Sequence, residues 1–161
     1  MRLVVLVGLP ASGKSRWLAE NGLFALSSDS VREMITGDIT DQSNNRLVFR
    51  TLRQLAAARV RAGAGVTYID STALTPWERR CWVRFAELHD CMAEALFFDV
   101  PLAECKRRNA LRSRVVSEPV MDQMAARLVP PTTAEGFSTC QIILPPLPHG
   151  RGSESGTEPR P

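Results

Sequence analysis

The 161-residue chain is 44% hydrophobic and 23% charged with a formal net charge of +3, and of its twenty basic side chains only Lys14 and Lys106 are lysines. This apolar content excludes a disordered chain, and the length predicts one domain that buries roughly two-thirds of its unfolded surface. The charge is too small to announce a nucleic-acid-binding protein, and no run approaches the ~20 apolar residues of a membrane span.

In chain order, Arg2 to Val7 is a short Val-rich run ended by Gly8, the pattern of a strand buried on both faces of a parallel sheet. Similar runs recur at Leu23 to Ser27, Val66 to Ile69, Ala93 to Phe98 and Thr139 to Leu144. Between them lie segments of helical period. Leu47 to Arg61 places Leu47, Leu52, Leu55, Ala56 and Val60 on one face, and Trp77 to Asp90 follows a Thr-Pro start. The alternation predicts an α/β domain: a five-stranded, mostly parallel sheet with helices on both faces, right-handed crossovers, and ligands at the carboxyl ends of the strands. Trp17, Tyr68, Trp77 and Trp82 could stack on bases, but they fall within these patterns, where aromatic residues are more often core, and the core is expected for them. From Pro145 the composition changes to five prolines, three glycines and one aliphatic residue in seventeen positions, so residues 1–144 form the predicted domain and 145–161 a disordered tail.

Four cysteines (Cys81, Cys91, Cys105, Cys140) show neither CxxC pairing nor zinc spacing, so reduced thiols are expected. MRLVVLVGL lacks the pattern of a secretory leader, and a soluble, cytoplasmic protein without a membrane partner is expected.

The most specific motif is Gly8-Leu9-Pro10-Ala11-Ser12-Gly13-Lys14-Ser15, a full GxxxxGK[ST] between a predicted strand and a helix. Gly8, Pro10, Ala11, Ser12, Gly13 and Arg16 would then lie around a nucleotide phosphate. Backbone N–H groups would point at the anion, Lys14 would reach the β and γ phosphates, and Ser15 would ligate Mg²⁺. ATP and Mg²⁺ are the implied ligands. Asp29, in Ser-Ser-Asp-Ser-Val-Arg after the second strand, is placed either as a base for an acceptor hydroxyl or as a helix cap. Arg32, three residues on, either holds an acceptor phosphate or lies on the surface. Asp70 ends the third strand in the manner of a carboxylate supporting Mg²⁺, or of an ordinary turn. The run from Lys106 to Arg114 carries five cations, among them Arg108 and Arg112 at helical spacing. It reads either as a basic lid over approximately 106–118 or as a solvated helix.

These pieces together resemble the 5′-hydroxyl polynucleotide kinase family, specifically the kinase module of bacterial polynucleotide kinase-phosphatases. The points of likeness are GLPASGKS, SSDSVR, Asp41-Gln42, TYIDST, CKRRNALRSR and EGFSTCQIIL. The resemblance implies a P-loop kinase fold in which Lys14 and Ser15 bind ATP and Mg²⁺, and Asp29 is the general base. Arg32 would engage the acceptor strand, with Arg108 and Arg112 on the ATP phosphates from a lid. The implied activity is phosphorylation of 5′-OH ends of RNA or DNA, the partners being that polynucleotide and separate phosphatase or ligase proteins, for which 161 residues leave no room. The family's DxTN reads Asp70-Ser71-Thr72-Ala73 here, so its Asn is missing. Two alternatives share the architecture: a small-molecule kinase of the gluconate, shikimate or zeta-toxin type, and an ATP-dependent binding module.

Overall fold

The computed structural model describes residues 1–144. Its elements run β1 (Arg2–Val7), α1 (Lys14–Glu20), β2 (Ala25–Ser27), α2 (Ser28–Thr36), α3 (Asn45–Arg61), β3 (Val66–Asp70), α4 (Pro76–Leu88), β4 (Met92–Phe98), α5 (Leu102–Asn109), α6 (Glu118–Arg127) and β5 (Thr139–Ile143), with one 3₁₀ turn at Thr133–Glu135. The five strands pair in the order β2-β3-β1-β4-β5 and every pairing is parallel, so the expectation of a mostly parallel sheet is met in full. Residues 145–161, where the sequence predicts a tail, lie outside the described residues.

The central strand β1 shows why a continuous apolar run was needed. Leu3, Val5 and Val7 face a core shared with α3 and α4, whereas Val4 and Leu6 face a second core with Leu18 of α1. A strand buried on both sides has no polar face to alternate. A third cluster (Leu9, Leu74, Val100, Cys105 and Met121) packs beneath α5 and α6. Helix α4 starts on a capping box, in which Thr75 Oγ1 accepts from Glu78 N and the Glu78 carboxylate accepts from Thr75 N, with Pro76 at the first helical position.

Two packing expectations need correction. The buried stripe of α3 is Val48, Leu52 and Ala56, with Phe49 and Val60 half-buried beside it, while Leu47 and Leu55 are exposed. The spacing located the helix but turned its face by part of a turn, because Leu47 and Leu55 flank the stripe that meets the sheet. Of the aromatic residues, Trp82 is fully buried and Trp17 packs edge-on to Tyr68 and Phe98, but Trp77 stands in solvent at 81% exposure. It precedes the first inward turn of α4.

Register aligns the carboxyl ends of the strands. Leu6 pairs with Asp70 and with Leu96, and Ser27 pairs with Asp70, so the segments leaving β1, β2 and β3 emerge side by side. A backbone bond from Gly8 N to Thr72 O ties two of them together.

Candidate phosphate-binding site

The loop after β1 turns back over the strand ends. At Gly8 a Cβ would come within 2.9 Å of Ser12 Oγ and 3.1 Å of Phe98, and Gly13 has φ +101° where it caps α1, so both glycines answer to close approach or backbone angle. The Lys14 ammonium is buried inside this loop. It donates to Gly8 O at 2.8 Å, Leu9 O at 2.9 Å and Ser12 Oγ at 3.4 Å. Burial pulls its pKa down from 10.5 to about 8, against the opposing pull of the Asp70 carboxylate. Ser15 Oγ donates to Asp70 Oδ2 at 3.1 Å, and burial raises the Asp70 carboxyl, with Lys14 working against that rise.

This hydroxyl and carboxylate form a pair of hard oxygen donors beside the loop. Among the described residues no group of three or more His, Cys, Asp or Glu side chains could cage a metal. That donor set fits Mg²⁺, which is held by one or two protein oxygens together with substrate phosphates. It does not fit a cation carried by protein ligands alone.

A cleft of about 1290 Å³ runs from this loop, across the ends of β2 and β3, to Asn45 and Phe49 on α3. Asp29 lies in its wall, in the first turn of α2. Ser27, not Asp29, is the cap: its side chain accepts from Ser30 N, which leaves the Asp29 carboxylate for other work. Arg32 Nη1 donates to Asp29 Oδ1 at 2.7 Å and Arg32 Nη2 to Asn45 Oδ1 at 2.9 Å, while Arg32 Nε is buried without a partner among the described residues. Arg32 is only 4% exposed and is therefore no surface arginine.

The basic segment departs from its expected form. Arg108 lies on α5, but the helix ends at Asn109 and Arg112 belongs to the following turn, so the two guanidiniums do not share a helical face. The cause is Asn109, which is buried. Its carboxamide donates to Val116 O at 2.7 Å and accepts from Val116 N at 3.1 Å, clasping residues 110–115 into a loop. Arg108 and Arg112 both still line the cleft, Arg108 with Nη1 3.7 Å from where a Cβ on Gly13 would stand. Glu104 orients this side, accepting from Arg107 Nε and Nη2 and from Arg108 Nε, and those bonds hold its carboxyl down at about 2. Arg16 also lines the cleft, though its guanidinium pairs with Glu20 at 2.7 Å and is largely exposed. Pro10, Ala11 and Ser12 complete the loop wall, Ala11 at φ +60°.

Three contributors escaped sequence reading. Asn45 buttresses Arg32 from thirteen residues away, Glu104 aligns Arg108, and Arg114 donates to Asp29 Oδ2 and Ile39 O, each at 3.4 Å. Glu104 carried a local signal, its spacing of three and four to Arg107 and Arg108, and Arg114 stood at the end of the basic run without a role of its own, whereas Asn45 carried none.

A family model described as an AAA domain matches residues 3–131. The chain belongs to the AAA domain family. Solved structures similar to this AAA domain chain include a chain of the Pnkp1/Rnl/Hen1 RNA repair complex, at 16% identity and TM-score 0.67, covering 79% of this chain and 43% of that one. A sugar kinase from Janibacter sp. HTCC2649 matches at 21% identity and TM-score 0.62, covering 89% and 85%. A gluconokinase from Sinorhizobium meliloti 1021 matches at 14% identity and TM-score 0.58, covering 89% and 82%. The chain thus spans less than half of the repair-complex chain and most of the two sugar-directed enzymes. The shared feature is the fold, an α/β P-loop kinase architecture.

Proposed function

We propose that this chain transfers the γ-phosphate of ATP to the 5′-hydroxyl of a polynucleotide. The observation that carries the reading is the Asp29–Arg32 pair at 2.7 Å in the wall of the cleft that also holds the P-loop. A base for an acceptor hydroxyl must be ionised, fixed and open to the acceptor, and Asp29 is held by Arg32 and Arg114 while its side chain stays 49% exposed. Lys14 supplies charge at the transferring phosphate. Arg108 and Arg112 enter from the lid side, where they neutralise charge spread over the phosphate oxygens and exclude water. Ser15 and Asp70 would hold Mg²⁺ with the nucleotide, and that ion supplies further neutralisation. The likeness to a chain of an RNA repair complex supports a polynucleotide acceptor and action alongside partner proteins.

The test offers radiolabelled ATP and a 5′-OH oligonucleotide beside a panel of sugars and nucleosides. Label should enter the oligonucleotide, and Asp29→Ala should lower that transfer by ~10²–10⁴-fold with nucleotide affinity nearly kept. Transfer by the variant at the wild-type rate would remove Asp29 from the role.

A second reading rests on the gluconokinase and sugar kinase matches, which cover over four-fifths of both partners in each case. It expects label in a sugar or sugar acid and none in the oligonucleotide.

A further inference from the structure

We propose that the outer faces of α3 and α4 form a docking track for single-stranded polynucleotide that continues from the acceptor end of the cleft. The inference rests on the polynucleotide reading above, and it names a surface that lies outside the cleft.

Helix α3 has no acidic residue, and none occurs anywhere from Gln42 to Ile69. Its Arg46 and Arg50 are exposed and one turn apart, which sets their backbone positions ~6 Å apart along the axis. On α4, Arg80 and Arg84 repeat the same spacing, and Trp77 precedes Arg80 by three residues, so the ring and both guanidiniums share one exposed face. Among the described residues none of these four arginines forms an ion pair or a hydrogen bond. Most arginines around the cleft contrast with them: Arg16 is taken by Glu20, Arg32 and Arg114 by Asp29, Arg107 and Arg108 by Glu104, and Arg127 by Glu78, while Arg112 alone of the cleft arginines shares their lack of a side-chain partner among the described residues. Glu87 is the one exposed carboxylate on the outer face of α4.

The two helices lie on the same side of the sheet, with Phe49, Val60 and Cys81 packed on one core and Arg53 close enough to the Cys81 thiol to act on its ionisation. Both begin at the cleft. Asn45 and Phe49 line it from α3, as do Glu78 and Trp82 from α4, so Arg46 and Arg50 adjoin two of the lining residues and Trp77 adjoins a third. Unpaired guanidiniums at a repeat of one helical turn suit a chain of phosphates. An exposed indole beside them offers a base the stacking platform that single-strand-binding proteins use. A sugar or a nucleoside confined to the cleft would reach none of these groups.

The experiment measures fluorescence anisotropy of 5′-OH single strands of 4 and 12 nucleotides, labelled at the 3′ end, between 50 and 200 mM salt. The wild type should bind the longer strand more tightly. Replacing Arg46, Arg50, Arg80 and Arg84 together by Gln should shrink that gain with length. It should also flatten the plot of log affinity against log salt by about 2–3, four phosphates at ~0.7 each. Trp77→Ala should weaken the 12-mer about fivefold or more without changing the salt slope. Melting curves check that both variants fold. A quadruple variant with wild-type affinity and slope overturns the track, as does a wild type that binds both lengths equally, and a blunt duplex binding as well as the single strand overturns its single-strand character. Because binding is read without transfer, phosphorylation of the 12-mer with no dependence on these arginines sinks the track alone. Binding that depends on them without phosphorylation sinks the proposed activity alone.

Discussion

Lys14 carries a charge where burial resists it, and that conflict has a sign. Its pKa falls from 10.5 to about 8, chiefly through burial, so between those values the folded chain binds fewer protons than the unfolded one. Stability contributed by this group therefore rises with pH through that window, and below pH 8 the cost of the buried cation, about 3 kcal/mol, is present in full. Phosphates beside Lys14 reverse the preference, because they favour the ammonium. Nucleotide binding at pH 8.5 should take up a proton, and affinity should weaken above pH 8. Calorimetry in two buffers of different ionisation enthalpy reads the uptake, and Lys14→Met should abolish it; no proton exchange by the wild type would contradict the shift. Ala73 presents another local conflict. It sits at φ +46°, a left-handed conformation that costs a residue with a Cβ about 1 kcal/mol and that Asn tolerates. This is the position at which the resemblance drawn from the sequence would expect Asn, so that departure falls on a residue with a left-handed backbone. Relief of that strain works against fitting a carboxamide at a residue that lines the cleft but is only 5% exposed; with the strain the larger, Ala73→Asn should raise the melting temperature by ~2–4 °C. A lower melting temperature would show that packing outweighs the strain.

At the scale of elements, what could be read from the sequence was what is decided locally. The strand–GLPASGKS–helix unit declares itself in fourteen consecutive residues, from Arg2 to Ser15, and in the structure it is a strand, a tight loop whose glycines answer to close approach and backbone angle, and a helix that begins at Lys14. Asp29 and Arg32 were legible as a pair three residues apart, and their bond is an i to i+3 contact. Arg112 was not, since its position depends on the clasp between Asn109 and the backbone of Val116, seven residues away, which stops α5 where periodicity would have continued it. Asn45 and Arg114 reach Arg32 and Asp29 only through the tertiary fold, thirteen and eighty-five residues away. The clasp gives the basic loop after α5 a testable anchor. Asn109→Ala removes two hydrogen bonds and leaves a backbone N–H and C=O to find new partners, each worth ~1–3 kcal/mol if they fail. Hydrogen exchange at the Val116 amide should accelerate at least about tenfold, and the KM for ATP should rise as Arg112 loses its place. Unchanged exchange at Val116 would show that the loop holds without Asn109.

Across the whole molecule, one buried cation joins regions that the sheet alone does not connect. Arg79 is fully buried on α4, and Glu135 binds it bidentately, with Nε and Nη2 each at 2.7 Å from a carboxylate oxygen. Arg79 Nη1 donates to Ala73 O, Leu74 O and Val129 O. It thereby fastens the loop after β3, which lines the cleft, to the chain between α6 and β5. The AAA domain match ends at residue 131, so Glu135 and β5 lie beyond it. This ion pair and the β4–β5 ladder bind that last segment to the rest. Glu135→Ala would leave a guanidinium buried without its counter-ion, a change that costs ~3–5 kcal/mol in comparable pairs. That is a large part of the 5–15 kcal/mol that typically holds a domain together, and it corresponds to a fall of roughly 6–20 °C in melting temperature. Both variants lose the bond from Thr132 N to the Glu135 carboxylate; the double variant Arg79→Met/Glu135→Leu gives up in addition only the Arg79 bonds to three carbonyls and carries no unpaired charge, so it should melt above Glu135→Ala. Thermal melts of the wild type, Glu135→Ala and the double variant decide the matter. If the double variant is the less stable of the two, the carbonyl bonds of Arg79 outweigh its charge pairing, and the strut acts through the backbone of Ala73, Leu74 and Val129.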